Sequence, residues 1–205
     1  MGIKNLLKLL RDVGTDRIDL RQASGKLMIA DGHFVAHSLA VGEIADALVD
    51  NGDASPLADA FVRRIKVLTA HHIRMLVVFD GAAPPAKAAT AADRGRRRDN
   101  AVRKRKEERQ RLGSACTSAS PAAVRISQDV VHVILRQLRS ARIDFLVAPY
   151  EADAQVVLFE RELSADDVYA NDGDLIVMGV KNLLTSIDFK RGTDFMVGNV
   201  FRRSL

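Results

Sequence analysis

Six carboxylates stand where charge is costly: Asp31, Asp80, Glu151, Asp153, Asp172 and Asp174. Each follows or borders a short apolar run, in KLMIA before Asp31, IRMLVVF before Asp80, FLVAPY before Glu151 and VYAN before Asp172. Acids in such places call for a proton or a cation to neutralise them. A set built from carboxylate oxygens, without His or Cys, suits hard divalent ions, Mg2+ or Mn2+. Two such ions roughly 4 Å apart activate a water, stabilise a leaving oxygen and offset charge on a phosphorane-like transition state. Phosphodiester hydrolysis is the chemistry this implies. Singly, Asp31-Gly32, Asp80-Gly81 and Asn171-Asp172-Gly173 are ordinary turn sequences. The repetition of strand then acid is what favours a metal site.

The elements that must position these acids follow from apolar periodicity. Strands are predicted over 26–30, 73–79, 145–147, 168–170 and 183–187, with a short extended segment at 17–20. Helices are predicted over 4–13, 33–50, 57–70 and 124–140, the second with Phe34, His37, Ala40, Val41, Ile44 and Leu48 on one face. Alternating strands and helices predict a parallel α/β sheet flanked by helices and joined by right-handed crossovers. In such a sheet the carboxyl ends of the strands share one edge, where ligands bind. Pro84-Pro85 breaks the chain before a helix-prone basic segment, and a small, polar stretch over 113–121 follows that segment. One domain over 1–205 is expected, with 88–122 as a basic insert and 188–205 as a tail.

With 205 residues, 47% hydrophobic and 28% charged, the chain can bury a sizeable core and is too apolar for a disordered protein. Its single cysteine, Cys116, excludes an internal disulfide and a multi-cysteine zinc site. No apolar run reaches the ~20 residues of a membrane span, and no signal-peptide core precedes the first charges. The net charge of +5 is unevenly placed. Residues 94–111 hold ten Lys or Arg against three acids, a net of +7, so the remainder carries −2. A polyanion held by cations while its phosphate meets metals fits that polarity. Arg94, Arg97, Arg98, Arg103 and Lys104 are the candidate contacts; a solvated charged helix or a nuclear-localisation patch at RKRK fits the same composition.

Met1-Gly2-Ile3, the strand ending at Asp31, VVFDG with Pro84, Pro85 and Lys87 after it, APYEADAQ over 148–155 and NDGDLIVMG over 171–179 together resemble the structure-specific 5′-nuclease family. That family includes flap endonucleases and the 5′ to 3′ exonucleases of mismatch repair, and APYEADAQ is closer to the latter. The resemblance runs from Met1 to about Leu184. It implies a PIN-like parallel sheet with a helical arch, and two metals ligated by Asp31, Asp80, Glu151, Asp153, Asp172 and Asp174. It implies that Lys87 and Arg94, on one helix face, act at the scissile phosphate. Gly2 would let the amino terminus pack near the active site. His37 aligns with a histidine used near the DNA junction, while its place on the predicted apolar face fits a core residue equally.

In the family's pattern a glycine-rich segment with a seventh metal-ligating Asp follows, and then a helix-two-turn-helix module that grips the duplex. Neither Asp188 nor Asp194 sits in such a motif, so that module is expected to be absent and a protein partner could supply the grip. The expected function is a Mg2+-dependent 5′-nuclease acting on DNA 5′ ends, nicks or flaps, with two ions, Mn2+ as a substitute and reduced activity. A catalytically silent nucleic-acid-binding member is the alternative. The expected location is nuclear in a eukaryote and otherwise cytoplasmic, with no secretion and no membrane.

Overall fold

Every apolar run that reads as a strand becomes one in the computed structural model, which describes residues 6, 8–9, 16–84, 88–113, 116–189 and 196–202. The strands are β1 (Asp16–Asp19), β2 (Leu27–Asp31), β3 (Arg74–Phe79), β4 (Asp144–Val147), β5 (Asp167–Tyr169), β6 (Asn182–Phe189) and β7 (Met196–Arg202). The helices, numbered from Gly32 onward, are α1 (Gly32–Leu39), α2 (Glu43–Asn51), α3 (Ser55–Ala70), α4 (Ala88–Leu112), α5 (Gln128–Ser140), α6 (Ala152–Glu162) and α7 (Asp174–Val177). Gly2, Lys87, Asp194 and most of the helix expected over 4–13 lie outside the described residues. The chain divides into two units, one of residues 1–34, 65–82 and 143–205, the other of 35–64 and 83–142.

The first unit holds the whole sheet, in the order β1-β7-β6-β5-β2-β3-β4. From β6 to β4 every pairing is parallel, which is the five-stranded sheet that the sequence predicts. β7 runs antiparallel to both β6 and β1, so the sheet as a whole is mixed and mostly parallel. Here the structure adds to the sequence reading: much of the tail begun at 188 is strand. A register shift in β6 between Leu184 and Ser186, in its pairing with β7, marks a bulge just past the residues that pair with β5.

The inner parallel strands β2, β3 and β5 are largely buried, as continuous apolar runs require, whereas β4 at the sheet edge is half-buried to exposed. Ile29, Val78 and Val168 sit in one cluster with Ala152, Val156 and Val157 of α6. Those α6 residues recur at helical spacing, so one stripe of the helix faces β2, β3 and β5. Full burial of a side chain such as Phe79 contributes roughly 1.5–3 kcal/mol.

The helix expected over 33–50 is two helices. Gly42, with φ 57° and ψ −136°, takes a positive-φ conformation that glycine readily adopts, in the break between Leu39 at the end of α1 and Glu43 at the start of α2. α3 lies close to the predicted 57–70, while α5 begins at Gln128, four residues after the predicted start at 124, where Ser127 caps it by accepting the Val130 N–H. α4 carries the basic segment as 25 residues of helix, about 37 Å at 1.5 Å per residue. Among the described residues no helix is long and apolar enough to cross a membrane.

Candidate functional site

The strand order carries the acids to one place. β5, β2, β3 and β4 are adjacent and parallel, so their carboxyl ends deliver Asp172, Asp31, Asp80 and Glu151 along one edge in that order. The chain leaves β2 toward β3 and β4, then returns to the opposite side of β2 as β5. Asp31 and Asp172 therefore flank the topological switch point, where open α/β sheets leave a crevice. All six acids are half-buried.

Each acid is placed by backbone. Asp31 ends β2 and acts as N-cap of α1, its Oδ1 accepting the Phe34 N–H at 3.0 Å. Asp80 follows β3, and its Oδ1 accepts the Ala152 N–H at 2.7 Å, at the first turn of α6. Asp153 occupies the same turn, where the helix dipole favours negative charge. Asp172 Oδ1 accepts the Asp174 N–H at 2.9 Å, which starts α7. The loops after β3 and β4 are zipped together by Gly81 N–H to Tyr150 O at 2.6 Å and Ala82 N–H to Pro149 O at 3.1 Å. Only glycine fits at Gly81, because a Cβ there would lie 1.9 Å from the Ala148 carbonyl oxygen.

The acids share a repulsive field. Asp31 is pushed up to about 6, first by burial and then by Asp80 and Asp172, against backbone hydrogen bonds from Phe34 and His33. Asp153 is also pushed up to about 6, first by burial and then by Asp172, Asp31, Asp80 and Glu151. Desolvation and like charge together are what a cation site imposes on its ligands. The donor set fits a hard divalent ion, since the clustered groups present only oxygen. Among the described residues no three His, Cys, Asp or Glu side chains are arranged to hold a metal ion as they stand. Asp31, Asp80 and Asp172 each turn one oxygen onto a helix-starting N–H.

Sequence reasoning passed over His33, two residues beyond Asp31. Its Nδ1 accepts the Asp80 backbone N–H at 3.3 Å, and burial lowers its pKa against the pull of Asp80. A histidine just past an acid-terminated strand was the available signal. His37 lies in the last turn of α1 and is exposed, so the core reading of it does not hold. His71 and His72 form the turn before β3, where the His72 carbonyl accepts the Gly25 N–H.

The basic residues belong to the second unit. Arg94, Arg97, Arg103 and Lys104 are exposed on α4, and Arg98 is half-buried beside Asp99 at 3.2 Å. Arg105 differs from them. It is buried, donating to Asp50 at 2.7 and 3.1 Å, to Asp46 at 2.8 Å and to the Thr117 carbonyl. Arg109 also pairs with Asp50, and Asp46 accepts the Ala119 N–H at 2.7 Å. Two of the ten cations are thus committed to acids of α2.

Two family models match the chain: the XPG N-terminal domain over residues 1–101 and the XPG I-region over 142–199. Exonuclease 1 of Arabidopsis thaliana is 28% identical over 202 residues, covering 98% of this chain and 27% of the relative. Exodeoxyribonuclease 1 of Schizosaccharomyces pombe is 31% identical over 190 residues, covering 92% and 33%. The chain therefore spans a third or less of these relatives. Human GEN1 bound to Holliday junction DNA superposes with a TM-score of 0.66 at 18% identity, over 98% of this chain and 44% of that one. GEN1 with product DNA and a Mg2+ ion gives 0.56 at 18%, over 97% and 39%. These structural likenesses carry the fold. The two models cover well over half of the chain and take in all six acids, and by them it belongs to the structure-specific 5′-nuclease family of the XPG type.

Proposed function

We propose that the chain is a Mg2+-dependent 5′-nuclease that hydrolyses phosphodiester bonds at DNA 5′ ends, nicks or flaps. The observation that carries this reading is the delivery of Asp172, Asp31, Asp80 and Glu151 to one edge by four adjacent parallel strands. Asp31, Asp80, Glu151, Asp153, Asp172 and Asp174 would hold two divalent ions, with Mn2+ as an alternative to Mg2+. Ions bound there would supply Lewis acidity and lower the pKa of a water nucleophile. GEN1, a structural neighbour, has been seen with Mg2+ and product DNA, in keeping with this choice.

The protein's own groups do the positioning. The Ala152 N–H fixes Asp80 Oδ1, and the Asp174 N–H fixes Asp172 Oδ1. Burial and mutual repulsion raise the proton affinity of Asp31 and Asp153, so above about pH 6 the edge is anionic and ready for cations. Lys87 and Arg94 are proposed to offset charge at the scissile phosphate, and His37, Arg97, Arg98, Arg103 and Lys104 to hold the DNA, with Gly2 at the amino terminus near the reaction. A nuclear location, and a partner that adds grip on the duplex, accord with this role.

The alternative is a catalytically silent DNA-binding protein. Cleavage of a 5′-labelled flap and a nicked duplex in Mg2+, with Asp172→Ala as control, separates the two. The nuclease reading expects wild type to cut and the variant to bind without cutting. Wild type that binds DNA and cuts no faster than the variant would establish the silent reading.

A further inference from the structure

We infer that His33 is a positioning residue for Asp80, acting through the backbone and not as a metal ligand. This rests on the reading of the acidic edge as a divalent-metal centre. Asp80 is held at two points: its N–H by His33 Nδ1 at 3.3 Å, and its carboxylate Oδ1 by the Ala152 N–H at 2.7 Å. The first clamp comes from the segment leaving β2 and the second from the start of α6. Between them they fix where the residue after β3 presents its other oxygen.

The ring of His33 is itself set by packing. It meets Phe79 edge-on, with centroids 5.8 Å apart and planes at 71°. Phe79 in turn occupies the space over Gly32, where a Cβ would lie 2.5–2.7 Å from the ring. Gly32, His33, Phe79 and Asp80 are therefore one fitted group at the carboxyl ends of two adjacent parallel strands. Accepting the Asp80 N–H places the proton of the neutral ring on Nε2. In that tautomer Nδ1, 3.5 Å from Asp80 Oδ2, offers that oxygen no hydrogen and has its lone pair engaged. Residues that orient metal ligands in this way typically carry about 10–100-fold in metal affinity.

The test is Mn2+ affinity of the full chain, read from the electron paramagnetic resonance of free Mn2+, for wild type, His33→Asn and His33→Gln. Asparagine keeps an acceptor near the Nδ1 position, whereas the glutamine amide reaches the Nε2 position. The expected result is affinity near wild type for H33N and a loss of about tenfold or more for H33Q. Equal affinity in all three proteins, or an equal loss in both variants, overturns the inference. Wild type that binds no Mn2+ overturns the metal reading and this inference with it. Circular dichroism of each variant confirms that a folded chain is being titrated.

Discussion

Replacing Arg105 by alanine removes the guanidinium on which the second unit's acids converge. Its side chain is 8% exposed, that of Asp50 9% and that of Asp46 32%. Without it, two carboxylate oxygens of Asp50, one of Asp46 and the Thr117 carbonyl lose their shared donor. Breaking a shielded ion pair from one side costs about 3–5 kcal/mol, because the remaining charge stays uncompensated. Arg109 still reaches Asp50, and Asp46 has solvent on one side, so the lower end applies, about 3 kcal/mol. Arg109 is 54% exposed, and Arg109→Ala should cost less than about 1 kcal/mol. Urea unfolding followed by far-ultraviolet circular dichroism compares the two variants, with an unchanged slope required for a valid difference. Losses below about 1 kcal/mol for both, or a larger loss for Arg109→Ala, would refute the claim that Arg105 fastens α4 to α2.

Gly81→Ala forces a Cβ to 1.9 Å from one backbone carbonyl oxygen and 2.9 Å from another, neither on a flexible side chain. A cost near the top of the overpacking range, about 3 kcal/mol, is expected, with weakened DNA cleavage because Asp80 is displaced; a wild-type melting temperature would contradict the fit described at this turn. The pH dependence has a definite sign. A carboxyl raised from 3.8 to about 6 binds its proton more tightly in the folded chain, so its contribution is complete below the unfolded value and fades as pH rises through about 6. In chelator the chain should therefore melt higher at pH 5 than at pH 7.5, and added Mg2+ should raise the melting temperature more at pH 7.5, where protons compete less. Equal melting at the two pH values in chelator would count against a repulsive acidic edge.

Asp31, Asp80, Glu151 and Asp172 were legible because strand period and a terminal acid are both local patterns, and parallel pairing then brings the strand ends to one edge. The five parallel strands were legible for the same reason. β7 was not, since MVGNVFR mixes Gly and Asn with apolar residues and owes its strand state to pairing with β6 and β1. The break between α1 and α2 depends on one glycine at positive φ, which a helical hydrophobic pattern passes over. Arg105 reads in sequence as one more cation of a solvated helix, and only the Asp46 and Asp50 pair across from it makes it internal. His33 was hidden because its partner is a backbone N–H 47 residues away.

The central claim is that this acidic edge acts on a phosphate through a divalent ion. Sulfur in place of one nonbridging oxygen at the scissile phosphate of a 5′-labelled nicked duplex tests it most directly, because Mg2+ prefers oxygen and softer Mn2+ accepts sulfur. Wild type should cut one diastereomer poorly in Mg2+ and recover in Mn2+, with Asp172→Ala inactive in both. Cleavage that persists in chelator, or a sulfur effect of equal size in the two ions, would contradict the claim.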